Sequence, residues 1–546
     1  MDTAAPARSF NLADLFEVVA TCVPERTAFR CGSHALTFRD LDQRASRLGS
    51  ALRMRGVGRG DNVGIQLHNS AEYLEAFLGC CKIGAAPVNV NFRYVSEELC
   101  HLFGMLDVKA LIYGADFEAE VAATVPRVPT LRTLLRVGGG DRPAGVEEFA
   151  AAVASSPPDL ADLGRSDDDI YMLCTGGTTG KPKGVMWPHK AIFMSALGGG
   201  GIFFRRPPIQ RPEELADFVP HGPPLVSFAV APMMHAAAMW ASLISLLSGH
   251  TVVVDDEPRF QAEHVWDVAV RDGVNILSVV GDAMALPLIR ALEQHPGRWD
   301  LSRLAVFGSG GAIFTEQAQA RLKAALPRIT TTNGMGSSES GMLGARENAD
   351  RAGAGCIVLD ARADLALVDD DGRIVRAAGI EGTLARSGYL PVGYYGDPLK
   401  TAATFVRIDG RVWALTGDRA RLDEAGNFVV LGRGSQCINT GGEKVFVEEV
   451  EEAALRYAAI DDVLVIGVPD ERWGQRVVAV ARLLPDRSFD QREFERICRE
   501  RLAGYKVPRS VVIVEEIKRS PAGKANYGWA RQVAEERLSA DSGAPG

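Results

Sequence analysis

The chain has 546 residues, enough for two or more domains around large buried cores. Hydrophobic residues at 47%, charged residues at 24% and a mean hydropathy of 0.00 are the composition of a folded globular protein, which excludes wholesale disorder and a multi-span membrane protein. A net charge of −9 excludes a general electrostatic footprint for nucleic acid, so any anionic ligand must be met by local charge.

The N-terminus, MDTAAPARSFNLADLFEVV, carries early acidic residues and no apolar run of the signal-peptide kind. Nine cysteines without a CxxC pair or a Cys/His metal spacing read as reduced thiols, which points to a cytoplasmic protein without structural zinc. Over the first 140 or so residues helical and strand patterns alternate. ALTFRDLDQRASRLGSALRMRG reads as a strand entering an amphipathic helix, NVGIQLH as a buried strand, EYLEAFLGCCKIGAAPVNVN as helix then strand, and KALIYG as a strand. SSPPDLADLGRSDDD is a linker running into the apolar strand IYMLC. The irregular segment 198–224, rich in Gly and Pro, is long enough to be expected over a site.

From His221 to Val254 there is no charged Asp, Glu, Lys or Arg, a length that could span a bilayer. Pro223, Pro224 and Pro232 interrupt it, so we read strand (LVSFAVA), loop (PMMHAAA), helix (MWASLISLLSG) and strand (HTVVV) inside an α/β domain. NILSVV, LAVFGSG, ITTTNGM and IVLDARADLALVDDDGRIV continue the strand pattern to about residue 432. Beyond Arg433 the texture becomes a compact α+β unit: KVFVEEVEEAALRY, DDVLVIGVPD, QRVVAVARLL, FERICRERLAGY and SVVIVEEI. The expected domains are therefore 1–432 and 433–546.

The most specific segment is YMLCTGGTTGKPKG, residues 171–184. Its glycines let backbone N–H groups approach an anion, its threonines add donors, and Lys181 and Lys183 add charge, a set suited to polyphosphate. It is not a Walker A loop, because Pro182 follows Gly180-Lys181 where Ser or Thr is required. Asn333 to Glu339, NGMGSSE, reads as a Gly/Ser turn ending in a carboxylate able to hold Mg²⁺ beside phosphates. TGD (416–418), GRGS (432–435), GGEKVFVEEVE (441–451) and RSPAGK (519–524) follow in order.

These ordered motifs, from about residue 12 to residue 530, resemble the adenylate-forming (ANL) superfamily of acyl-CoA synthetases, adenylation domains and luciferases. CTGGTTGKPKGVMWPH, GDAMALPLI, GSSES, LGRGSQCINTGGEKV and AGYKVPRS with KRSPAGKANY are similar to actinobacterial fatty-acid CoA ligases that handle steroid side chains and other polycyclic acids. The resemblance implies a large multi-sheet N-terminal α/β domain and a small mobile α+β C-terminal domain. It also implies an AMP-forming acid:CoA ligase using ATP, Mg²⁺ and coenzyme A.

Carried over position by position, the resemblance gives Thr175, Gly176, Gly177, Thr178, Thr179, Gly180 and Lys183 to the β- and γ-phosphates. Glu339 falls to Mg²⁺, with Ser338 and Ser337 beside the phosphates. Gly310, Gly311 and Ala312 with Asn333, Gly334, Met335 and Gly336 would form the adenine slot, and Asp418 with Arg433 would hold the ribose. Lys524 would reach the substrate carboxylate and α-phosphate during adenylation, where anion attacks anion and positive charge is needed. Gly441 and Gly442 would line the pantetheine tunnel. Trp473 is either a CoA contact or a core residue of the small domain.

His235 is either a cap residue or the gate between ATP and the acyl tunnel, and Asp282 either caps its own helix or faces the pocket. Met234, Trp240 and Gly281 complete the expected acyl site. Three departures stand out: Met335 replaces an aromatic, Ser338 a threonine, and Ser435 the usual Asp or Lys of the hinge. The expected substrate is a bulky hydrophobic, steroid- or terpenoid-like acid, because small and apolar residues surround His235 and Gly281. Medium or long fatty acids, or delivery of acyl-AMP to a carrier protein or partner enzyme, are the alternatives. Expected partners are the acid, ATP and CoA, with no nucleic acid and no membrane span; a homodimer is left open.

Overall fold

The computed structural model describes residues 8–542, apart from 159, 161–162, 177–181, 201–205, 220–222, 256, 258, 313, 348–356, 434–437, 441–442, 471–473, 503 and 520–524. Two eight-stranded sheets form the body of the large part. One runs from Gly341–Glu347 through Thr330–Ser337, Val306–Gly310, Ile276–Val279, Val226–Ala229 and Thr251–Val253 to Thr27–Cys31 and His34–Thr37. The other is centred on Ile170–Gly176, Ala86–Asn89, Asn62–Gln66 and Val108–Gly114.

Helices Leu12–Cys22, Phe38–Met54, Ala71–Lys82 and Ala236–Leu247 bury their apolar faces in one large cluster between these sheets. Their starts are written locally. Thr37 and Asp40 form a reciprocal capping box, and the Ser70 hydroxyl accepts from Tyr73 N–H. A third, seven-stranded sheet is built from 358–433, and a five-stranded sheet from residues 438–513.

The segment from 221 to 254 is strand Val226–Ala229, helix Ala236–Leu247 and strand Thr251–Val253. No helix among the described residues is long and apolar enough to cross a membrane. The helix begins three residues earlier than the sequence pattern suggested, because Ala236, Ala237 and Ala238 are strong helix formers and His235 takes the N-cap position. Asn333 to Gly336 is strand rather than turn, held between a parallel partner, Val306–Gly310, and an antiparallel one, Gly341–Glu347. Only Ser338 to Ser340 turn.

The segment 198–224 was expected over the site. Its described part Pro212–Phe218 packs instead beside the N-terminal helix, where Arg8 N–H reaches Glu213 at 3.4 Å. At the edge of the small part, Gly432 has φ +121°, a backbone conformation that favours glycine.

Candidate active site

One cavity of about 1530 Å³ opens where the two large sheets meet the small part. It exceeds an ordinary ligand pocket of roughly 300–1,000 Å³, as a site for a nucleotide and a second large ligand must. At one end the strands Ile170–Gly176 and Pro182–Pro188 form a hairpin that sets Thr175 opposite Lys183, both on the cavity wall. The connecting residues Gly177, Thr178, Thr179, Gly180 and Lys181 lie outside the described residues.

Asn89 anchors this hairpin. Its side-chain oxygen accepts from Cys174 N–H at 2.7 Å, and its amide donates to Cys174 O at 2.9 Å and to Met234 O at 2.6 Å. Asn69 does the same for the next stretch, accepting from Met233 N–H at 2.6 Å and donating to Ala231 O at 3.2 Å. The loop leading into His235, which continues a strand of the first sheet, is thus pinned to the second. Sequence reasoning passed over both asparagines; the signal available was a polar residue closing a buried strand, as in VNVN.

Gly310 and Gly334 pair directly across neighbouring strands and, with Gly311 at φ +84°, leave the wall without side chains. Met335 lines the cavity and packs against the third sheet's core. Asn333 is buried, its amide 3.4 Å from Phe314 O and its oxygen without a partner among the described residues. Neither Asn333 nor Ala312 of the expected adenine slot lines the cavity, whereas Gly310, Gly311 and Gly334 to Gly336 do.

The turn carrying Glu339 is tied from three sides. Trp187 Nε1 donates to Ser338 O at 2.7 Å, Arg386 donates to Ser340 O at 2.8 Å, and the Ser337 and Ser340 hydroxyls bond at 2.9 Å. A Cβ at Gly336 would fall 2.3 Å from Gly341 O, which fixes glycine there. Glu339 Oε1 accepts from the Tyr394 hydroxyl at 2.8 Å, a partner the sequence did not announce; its other oxygen has none among the described residues. Burial and the nearby carboxylate hold the Tyr394 phenol well above its usual pKa, so it stays a donor.

Among the described residues no group of three or more His, Cys, Asp or Glu could hold a metal by itself. A single carboxylate with a free oxygen beside hydroxyls suits a cation that also binds phosphate oxygens.

Met234, His235, Trp240 and Asp282 line the cavity; Gly281 does not, being buried with its N–H on the Ser309 hydroxyl at 2.9 Å. Asp282 does not cap its own helix, whose N-cap is Val280. It instead accepts from Thr315 N–H at 3.0 Å and Thr315 Oγ1 at 2.7 Å, bracing the N-cap residue of the next helix. Burial raises its pKa to about 6 against these two hydrogen bonds, with Asp462 adding to the rise and Arg519 opposing it.

The long flank of the cavity is a slot between sheet and helix. Ser227–Ile276–Val306 and Ala229–Ser278–Gly308–Thr332 are rows in register across neighbouring parallel strands, and all line the cavity. Phe228, Leu277 and Phe307 alternate to the opposite face and are buried in the core there. Helix Ala236–Leu247 presents Ala237, Ala241 and Ile244 from the other side. Both walls are therefore apolar or small where the strands pass the site.

Asp418 is buried and in register with Arg433 on neighbouring strands of the third sheet, outside the residues lining the cavity. Gly441, Gly442, Trp473, Ser435 and Lys524 lie outside the described residues. Arg519 lines the cavity and bridges to Ala525, the residue after Lys524.

Residues 16–395 match the AMP-binding enzyme family model, and residues 449–524 match the AMP-binding enzyme C-terminal domain. The chain belongs to the AMP-binding enzyme family. It is 41% identical over 547 residues to the medium/long-chain-fatty-acid–CoA/3-oxocholest-4-en-26-oate–CoA ligase of Mycobacterium marinum, covering 98% of each chain. It is also 41% identical to the 3-oxocholest-4-en-26-oate–CoA ligase of Rhodococcus rhodochrous, covering 96% of each. The solved structure of the anthranilate CoA ligase AuaEII with anthranoyl-AMP superposes with a TM-score of 0.83 at 23% identity, over 98% of this chain and 99% of that one, and shares its fold. The AMP-binding enzyme described here is thus an acid:CoA ligase of the AMP-forming kind, with ATP and CoA as substrates.

Proposed function

We propose that this enzyme activates a bulky hydrophobic, steroid- or terpenoid-like carboxylic acid to its acyl-adenylate and then transfers the acyl group to CoA. The observation that carries the substrate class is the slot: four adjacent strands put Ala, Ser, Gly and Thr on one row facing a helix with Ala237 and Ala241. A wide, rigid hydrocarbon body fits against this row of small side chains, with Ile244, Ile276 and Val306 adding apolar surface. The names of the two relatives support the same class.

In the first half-reaction the substrate carboxylate oxygen bonds to the α-phosphorus of ATP as the bond to pyrophosphate breaks. Thr175 and Lys183, with residues 176–180, bind the β- and γ-phosphates, Gly310, Gly311 and Gly334 to Gly336 receive adenine, and Asp418 with Arg433 takes the ribose. Lys524 neutralises charge at the α-phosphate. Glu339, oriented by Tyr394, would hold Mg²⁺, which offsets the charge of the departing pyrophosphate. His235, capping its helix at the junction of the two ends, separates nucleotide from acyl slot.

In the second half-reaction the domain 433–546 turns about Ser435 away from the orientation that needs Lys524. The CoA thiol then attacks the acyl carbonyl and AMP leaves with the bonding pair; Gly441, Gly442 and Trp473 guide the pantetheine. Comparing kcat/KM for a polycyclic acid, a linear fatty acid, acetate and an amino acid, with products analysed with and without CoA, tests the reading. A preference for acetate or the amino acid overturns the substrate class. Acyl-AMP without thioester overturns the CoA step.

A further inference from the structure

Two consecutive carboxylates, Asp461 and Asp462, open the strand Ile460–Asp470 where the small part meets the large one. Asp461 pairs with Arg290 on the large part's helix Gly281–Gln294, and its second oxygen takes Arg482 of its own sheet at 2.6 Å. The Asp461 side chain is only 5% exposed and that of Arg290 is 30% exposed, so the pair is partly removed from water. Asp462 grips Arg519 at two points, 2.6 Å to Nη2 and 3.2 Å to Nε. Arg519 bridges to Ala525, so the segment that carries Lys524 leaves from a residue held by Asp462 and returns beside it. A second ion pair between the parts, Arg456 with Glu316, is 3.6 Å long with both side chains more than a third exposed. Such a pair is screened and weak, which leaves Arg290–Asp461 as the more buried of the direct ion pairs between the parts among the described residues.

We propose that Arg290 is a positioning residue for adenylation: its ion pair with Asp461 docks the small domain in the orientation that sets Arg519, the residue from which the Lys524 segment departs, on the cavity wall, and lets go for the CoA step. This rests on the two-orientation reading above. The shared carboxylate makes release inexpensive, because Asp461 keeps Arg482 when Arg290 leaves and no buried charge is stranded, the circumstance that otherwise makes a broken buried pair so destabilising. Arg290 at the end of the separation returns to water, where a guanidinium is well solvated.

The experiment measures both half-reactions separately in the full chain, pyrophosphate release without CoA and thioester formation from supplied acyl-AMP, for wild type, Arg290→Ala, Arg290→Lys and Lys524→Ala. Arg290→Ala should slow pyrophosphate release roughly five- to tenfold, the scale of one partly buried ion pair. Its thioester step should be unchanged or faster, its KM for the acid unchanged, and Arg290→Lys should recover most of the loss. Equal losses in both steps, no loss in either, or a rise confined to KM for the acid overturns the proposal. Lys524→Ala is the control on the underlying reading. If it splits the half-reactions and Arg290→Ala does not, the docking role alone falls; if Lys524→Ala lowers both steps alike, the two-orientation reading falls and takes the docking role with it.

Discussion

A single 2.8 Å hydrogen bond from Tyr394 fixes one oxygen of Glu339, whose side chain lines the cavity. Outer partners of this kind typically govern metal affinity by about 10- to 100-fold. Tyr394→Phe should therefore raise the Mg²⁺ concentration for half-maximal adenylation by about tenfold at saturating ATP; an unaltered Mg²⁺ titration would remove Glu339 from the cation site. Asp282 carries a different signature. Its pKa rises from 3.8 to about 6, so between those values the folded chain holds a proton that the unfolded chain has released. Stability from this group is thus present at low pH and falls as pH rises through about 4 to 6, by up to about 3 kcal/mol. Asp282→Asn, which cannot ionise, should gain stability relative to wild type between about pH 4 and about pH 7.5. Melting curves at the two pH values check this, and a constant gap would mean that Asp282 is not raised.

At the scale of elements, the slot depends on strand register. Because side chains alternate along each strand, Ala229, Ser278, Gly308 and Thr332 share the cavity face while Phe228, Leu277 and Phe307 share the core face. Ser278→Leu adds bulk to the middle of the row without touching the buried face. It should lower kcat/KM for a polycyclic acid by about 10- to 100-fold, a few kcal/mol of steric exclusion, while a linear acid that can bend past loses less. Competition between the two acids measures the ratio, and an unchanged ratio would place the acid elsewhere. Local sequence explains several helix starts, through caps such as Thr37 and Ser70. Asn333 to Gly336 reads as a turn in isolation, and becomes strand only because two partners saturate its backbone.

At the scale of the whole molecule, the proposed mechanism has the small domain take two orientations, with Ser435, between strands Phe428–Arg433 and Ile438–Thr440, as the proposed hinge. Ser435→Pro, with φ held near about −65°, should leave acyl-AMP formation intact and slow thioester formation. Rapid-quench measurement of the two products separates the steps, and an unchanged rate of CoA consumption would move the hinge away from Ser435. On the proposed mechanism Arg290 and Ser435 act on opposite sides of one equilibrium, the first favouring the docked orientation and the second permitting departure from it.

Ordered short motifs determined the chemistry in advance. Glycines, hydroxyls and lysines around 175–183, and a carboxylate after Gly336-Ser337-Ser338, advertise themselves because anion binding demands particular residue types close together in the chain. Periodicity likewise announced most helices and strands, since burial of one face is a local pattern. What the tertiary structure alone decided are contacts between residues far apart in sequence. Tyr394 meets Glu339, Asn89 meets Met234, Asp282 meets Thr315 rather than its own helix end, and Arg290 meets Asp461. Each of these side chains is ordinary where it stands in the chain, and only folding brings its partner within hydrogen-bond reach.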